Sequence, residues 1–464
     1  MATPVRTEGP GALAPRRVSA PAAPVRGGGP VARLGRATRT APGRLRLVGA
    51  LLAVLTLAFG GLTAVQLDAR AGAAERVVDT SQPASQAAAE INRSLADADA
   101  TAATGFLLAG AEPKAVRERY EQDLRYASQL ITEAVGRTDA STSIRESFSK
   151  LNQQVPVYAG LVETARANNR QGFPLGGAYL RYASEQMRTV LLPIAAELSA
   201  AENKELADDL ADARATPWAG YVLGVLALAA LGWVQLMLFR RTNRVFNIGL
   251  LGASAAVLAS VLWLTVAATG ADSALRRGER EGAQPLRVLN SARVDVLTAR
   301  LAENLHYVAR GSSGKYAELW GTTTKHLLTT EADGRGPTGT LADALRLAPP
   351  DARGAVDQAR SDYQQWGERH TAAGQLEKEG DYQGALDATV TVKEADAAKT
   401  ADAAFNAADQ QLAKAAGLEE GLFRGAALGV DEDLRDAAAA VAVLGLVAAA
   451  AALGGLGRRL AEYR

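Results

Sequence analysis

The side chains that could do chemistry in this chain are few. There are three histidines, His306, His326 and His370, and no cysteine. Without cysteine there is no thiolate nucleophile, disulfide or thiolate metal site, and three histidines in different parts of the second half do not make a histidine-rich metal centre. His306, beside Tyr307, is expected to be a packed or surface helix residue. Acidic pairs such as Asp208-Asp209 and Glu419-Glu420 are consecutive. On a helix they point about 100° apart, which predicts a solvated face and not an acid–base couple. No Gly-rich phosphate loop, zinc-helix motif or nucleophile elbow is present. The expectation is a protein that is not an enzyme and uses no cofactor or metal.

What remains is charge arranged around apolar segments. The formal net charge of +1 over 464 residues conceals segregation: residues 1–46 hold nine arginines against one acid, Glu8. This Pro/Gly/Ala/Arg-rich tail cannot bury a core and is expected to be disordered. Leu47 to Leu67 is an uncharged apolar run of 21 residues, which at about 1.5 Å per residue matches a hydrocarbon core of roughly 30 Å. Residues 218–239, 246–269 and 437–456 are equally free of Asp, Glu, Lys and Arg. Four membrane-spanning helices follow. A cleaved signal peptide ending near Ala69-Arg70-Ala71 is the weaker reading of the first run, which is too long for one and too far from the N-terminus.

Orientation comes from arginine in the short segments, because Lys and Arg beside a span are retained on the cytoplasmic side. Arg44 and Arg46 precede the first span, Arg240, Arg241 and Arg244 fill the 240–245 connection, and Arg458 and Arg459 lie in the 457–464 tail. Both termini are therefore expected to be cytoplasmic, at a bacterial plasma membrane. These seven arginines are the candidate contacts to anionic lipid or an inner partner, at about 1 kcal/mol each near an anionic surface. The long intervals 68–217 and 270–436 would face outward, with Trp218 and Tyr221 in an outer aromatic belt. Nucleic acid is not an expected partner, since the tail lacks interleaved aromatics. The spans hold no ionisable residue, which argues against a transporter. Gln235 is expected to form an interhelical hydrogen bond.

Hydrophobic residues make up 48% of the chain and aromatics 5%, so Ala, Leu and Val dominate and an all-α fold is predicted. Heptad-spaced apolar residues, Leu180, Met187 and Ile194 in one interval and Val294, Leu301 and Val308 in the other, predict amphipathic helices. Breaks at Gly110 to Pro113, Gly136 to Ser141 and Gly172 to Pro174 divide the first interval into four helices. Each long interval thus reads as an elongated four-helix bundle. The expected helix-to-span connections have few breakers, as in Leu206 to Arg214 before Pro217.

Two phrases recur. Phe106 to Gly110, followed by Tyr120, parallels Tyr307 to Gly311, followed by Trp320; Gly172 to Ala178 parallels Gly380 to Leu386, with Tyr158 and Trp366 fourteen residues upstream. The offsets, 201 from Phe106 to Tyr307 and 208 from Gly172 to Gly380, suggest duplication of a unit of span, bundle and span.

Span, four-helix bundle and return span resemble the sensory regions of bacterial chemoreceptors and membrane histidine kinases, where phrases like Glu379-Gly380-Asp381-Tyr382-Gln383-Gly384-Ala385 are frequent. The chain departs from them in leaving about eight residues after the last span. The duplicated arrangement resembles the actinobacterial GlnX family. That resemblance implies a signal transducer in which an extracytoplasmic solute-binding lipoprotein, loaded with glutamate or aspartate, is read by the membrane protein and relayed to the soluble Ser/Thr kinase PknG. A homodimer, or pairing of the two bundles within one chain, fits the chemoreceptor resemblance. The alternative is a structural tether of the cell envelope.

Overall fold

The computed structural model describes residues 41–108, 112–136, 142–242, 247–310, 313–330, 336–390 and 394–461. Most of the arginine-rich tail, and Arg244, lie outside the described residues.

Among the described residues the chain is all-α apart from one short hairpin. Helix α1, Ala41–Arg76, passes through a π turn at Val77–Ser81 into α2, Gln82–Leu107. Then come α3, Lys114–Val135, α4, Thr142–Arg170, and α5, Leu175–Gln186, which continues through a π turn at Met187–Leu191 into α6, Leu192–Arg214. Helix α7 is Trp218–Thr242. The second half repeats the order: α8, Ile248–Gly278, a π turn at Glu279–Ala283, α9, Gln284–Ala309, and α10, Gly314–Leu327. A two-stranded antiparallel pair follows, β1, Thr329–Thr330, and β2, Pro337–Thr338. Next are α11, Thr340–Leu347, α12, Pro350–Lys378, α13, Tyr382–Thr389, and α14, Glu394–Ala397, before α15, Ala401–Ala427, and α16, Val430–Ala461. The first-half helices break between Leu107 and Lys114, Val135 and Thr142, and Arg170 and Leu175. The hairpin and the short helices α11 and α14 have no counterpart among the expected elements.

All three π turns have one local cause. Each ends two residues before a proline: Pro83, Pro193 and Pro285. A proline nitrogen cannot donate to the carbonyl four residues back, so the chain inserts one residue and resumes as α-helix. Thus α1 and α2 form one rod, as do α8 and α9. The descending helices behave differently. Ala215 and Leu428 take extended ψ values of 128° and 135°, and α6–α7 and α15–α16 break there. Residues 206–214 are therefore not a continuous path into the second span, contrary to the expectation; the short segment ending at Pro217 interrupts it.

Four helices, α1, α7, α8 and α16, are long and apolar enough to cross a membrane. Their large apolar side chains stay uncovered: Leu51 is 64% exposed, Trp233 63%, Val266 68% and Leu446 60%. Such a belt, on stretches within these helices that hold no Asp, Glu, Lys or Arg, suits lipid as the surrounding medium. Gln235 donates from Nε2 to Leu250 O at 3.2 Å and Ser254 Oγ at 2.9 Å, joining α7 to α8 as expected. Helix α16 packs against α1 and α8 through glycine. A β-carbon at Gly60 would sit 3.0 Å from Gly445 Cα, and one at Gly249 would fall onto the backbone of Gly455.

Beyond the spans the two bundles share their cores. Leu301, Leu305, Ala309 and Tyr316 of the second half pack with Ile91, Leu95 and Tyr120 of the first, and Ala96 packs with Leu289, Val296 and Leu297. From Ala292 to Ala309 helix α9 has no exposed residue, and its Arg300, Glu303 and Asn304 are buried, where heptad spacing had implied a single buried stripe.

Gly249→Leu should push α8 from α16 and destabilise the protein by about 1–3 kcal/mol, as overpacking does. Gly232→Leu, at a site with nothing within 4 Å, should leave stability unchanged. Thermal unfolding in detergent checks both.

Candidate sensory site along the paired helices

Helices α2 and α9 run side by side, and their polar residues join the halves. Asn304 Nδ2 donates to Thr104 Oγ1 at 2.8 Å and to Ala100 O at 3.4 Å. Arg119 of α3 is the main bridge. It holds Asp97 in a fork at 3.1 and 3.0 Å and reaches across to Asn406 Oδ1 at 3.0 Å and Asp409 Oδ2 at 2.9 Å. Arg93 lies 3.3 Å from Asp97 and 3.8 Å from Asp123. Burial, with Asp97 as a negative neighbour, pushes the Asp123 carboxyl up to about 8.

Each half also hides one carboxylate on its seam helix. Asp99 accepts from Ser184 Oγ at 2.8 Å and Tyr158 OH at 3.0 Å, both on Oδ1. Its Oδ2 has no hydrogen-bond partner among the described residues, and burial pushes the carboxyl up to about 7 against the lowering effect of those two donors. Glu303 is buried as deeply but compensated. It meets Arg300 Nη1 at 2.5 Å, Trp366 Nε1 at 3.0 Å and His370 Nδ1 at 2.9 Å. Burial raises its pKa, but His370, Arg300 and Trp366 together outweigh that and hold it below the usual range. Tyr158 and Trp366, the paired aromatics of the sequence repeat, thus occupy the same role: each donates to the buried acid of its own half. The acids themselves carried no sequence signal, since one Asp or Glu on a helix reads as surface.

His306 and His370, far apart in sequence, line one cavity of about 350 Å³ with Glu303 and Glu377. His306 Nε2 is 2.8 Å from Glu377 Oε2, and the His370 ring stacks on Trp320 at 3.7 Å. His326 stands apart, 2.9 Å from Asp295. No group of three metal-ligating residues occurs among the described residues. Of the acidic pairs, Asp208 is exposed, but Glu419 is 1% exposed and its carboxyl is pushed up to about 8 by burial. The solvated-face reading fails there because α15 turns Glu419 into the base of the bundles.

At the opposite end of the spans Arg44, Arg46, Arg240 and Arg458 are exposed. The side chains of Arg241 and Arg459 lie outside the described residues, as does Arg244. The proline signal at the π turns was available and unread: Gln82-Pro83 and Gln284-Pro285 stand 202 residues apart and mark the same point on both ascending rods.

An all-helical body on four apolar helices, with buried polar groups along an internal seam, fits a sensor membrane protein. Residues 73–211 match the family model described as an actinobacterial sensor domain. This region runs from the end of α1 to α6 and contains Asp97, Asp99, Arg119 and Tyr158. No curated protein and no solved structure matches the chain.

The pH dependence of stability tests the Asp99 site. In the unfolded chain its pKa is near 3.8 and in the fold about 7, so the folded state favours the proton. That contribution is complete below about pH 4 and is lost as pH rises through 7. Asp99→Asn keeps an acceptor for Tyr158 and Ser184 but no charge. Its melting temperature should climb relative to the unsubstituted protein between pH 5 and 8; parallel profiles would contradict the site. Asp123 and Glu419 titrate in the same sense in both proteins and cancel in the comparison.

Proposed function

We propose that the protein is a non-enzymatic signal transducer, in which a stimulus at the fused bundles changes the packing of α2 on α9 and the ascending rods carry that change to the inner face. The observation that carries this reading is continuity: α1–α2 and α8–α9 each hold seam residues and a span in one helix interrupted only by a π turn. Helix shifts of 1–2 Å are a common transmembrane currency, and packed helices switch between discrete arrangements. The π turns, with one extra residue each, are where such rods can bend.

Arginine at the ends of the spans supports placing both termini in the cytoplasm and the bundles outside. The matched offsets of the π turns, the Gln-Pro pairs and the two acid–aromatic pairs support descent from a duplicated unit. In this reading the cytoplasmic output is a separate protein, in the manner of the GlnX and PknG pathway, and the exposed arginines are its docking or lipid contacts. A solute-binding lipoprotein is the corresponding outer partner.

Phosphoproteomics of cells decides the relay. Arg119→Ala, which cuts the bridge between the halves, should alter phosphorylation of soluble proteins in the same set as deletion of the gene, with membrane levels of the protein unchanged. An unaltered phosphoproteome in both strains would refute it and leave a structural tether.

A further inference from the structure

A cavity of about 400 Å³ opens between the halves just beyond the π turns, walled by α2, α6 and α9 with Phe423 of α15 at one end. Its lining departs from the rest of the seam. Further along the seam Arg93, Arg119, Arg300 and Asn304 are tied to protein partners. Here Gln82, Gln86, Asn92, Asn290, Ser291 and Arg287 face one space, and none of the six side chains bonds to another group among the described residues. Gln86 Nε2 and Asn92 Oδ1 are shielded from solvent as well as unpartnered. A buried amide without a partner is destabilising, so two in one cavity point to a group that enters and satisfies them.

The chemistry of the lining names that group. Among the described residues Arg287 is the one cation on the wall, half-buried and without an ion pair. Guanidinium presents a planar fork that matches a carboxylate. Asp295, the one carboxylate on the wall, is already engaged by His326 and Thr340, and its presence disfavours a dianion such as phosphate. Carboxamides donate and accept, which suits hydroxyl and amide groups on the same molecule. Leu206, Leu286 and Phe423 supply an apolar end, and the volume is that of a small-molecule site.

We propose that this cavity binds a small organic monocarboxylate that also bears hydroxyl or amide groups, its carboxylate on Arg287 and its polar groups on the carboxamides of both halves. The assignment deepens the relay reading by naming what the seam senses, because a ligand touching α2 and α9 together has different contacts in the two packings.

The test uses the full chain in lipid nanodiscs and calorimetric titration with gluconate, glucuronate and N-acetylglycine, against glucose, N-acetylglycine amide and inorganic phosphate. At least one carboxylate should bind saturably, with its neutral counterpart weaker by about tenfold or more. Arg287→Gln and Asn290→Leu, both at partly exposed positions where folding is retained, should each weaken it by a similar factor. The proposal is overturned if no carboxylate binds, if phosphate is preferred, or if both variants bind as the unsubstituted protein does. Binding that leaves the inner ends of the spans unmoved would uphold this site while contradicting the relay.

Discussion

The structure depends on two helices that, away from their span-proximal ends, have no solvent face. Helices α2 and α9 each serve the core of their own bundle and pack on one another, so Leu95 and Ala98 on one and Leu297 and Leu301 on the other are covered from every direction. A helix in that position must also bury its polar residues, and buried polar groups persist only when bonded. Asp97, Arg300, Glu303 and Asn304 follow from that constraint. Arg119 reaches in from α3 to supply a partner for Asp97, and Arg300 pairs with Glu303 inside the seam; removing a member of that fully buried second pair leaves a charge uncompensated, at about 3–5 kcal/mol. The seam is therefore tightly specified where it is paired and soft where it is not, at the carboxamide cavity.

The spans obey a different rule. With lipid as the surrounding medium, apolar burial gives no drive to assemble, and close contact comes from small residues. Gly60 against Gly445 and Gly249 against Gly455 bring α16 onto α1 and α8, and Gln235 and Asn247 add interhelical hydrogen bonds. Because the ascending rods run unbroken from this small-residue packing into the polar seam, the two environments share a backbone. The descending helices break at Ala215–Pro217 and Leu428–Gly429 and are uncoupled at the same level. The continuity of two of the four spans with the bundles follows from where proline and glycine fall.

Much of this was legible in the sequence and some was not, for physical reasons. Spans announce themselves because twenty uncharged residues have few other uses, and the breaks near Pro113 and Pro174 because proline and glycine act locally. Tyr158 and Trp366 were legible as a spaced pair, yet their bonds to Asp99 and Glu303 were not. Whether an acid is buried depends on helices from remote parts of the chain, as with Ser184 for Asp99 and Trp366 for Glu303. The same holds for Glu419, read as solvated from its acidic neighbour and buried by tertiary packing. His306 and His370 share a cavity only because α12 runs beside α9 in the same direction. The unpaired polar residues of the cavity could not be told from surface glutamines and asparagines.

The central claim is mechanical: the packing of α2 on α9 and the packing of the spans move together. The absence of native cysteine lets nitroxide labels be placed at positions 46 and 458, at the exposed ends of α1 and α16 away from the bundles, and read by double electron–electron resonance in nanodiscs. Asn304→Leu, which removes the buried bond between Asn304 and Thr104 in the seam, should shift the distance distribution between those labels by an ångström or more, about the size of known helix shifts. A distribution identical to that of the unsubstituted seam, with labels across α2 and α9 confirming that the seam itself had moved, would contradict the account.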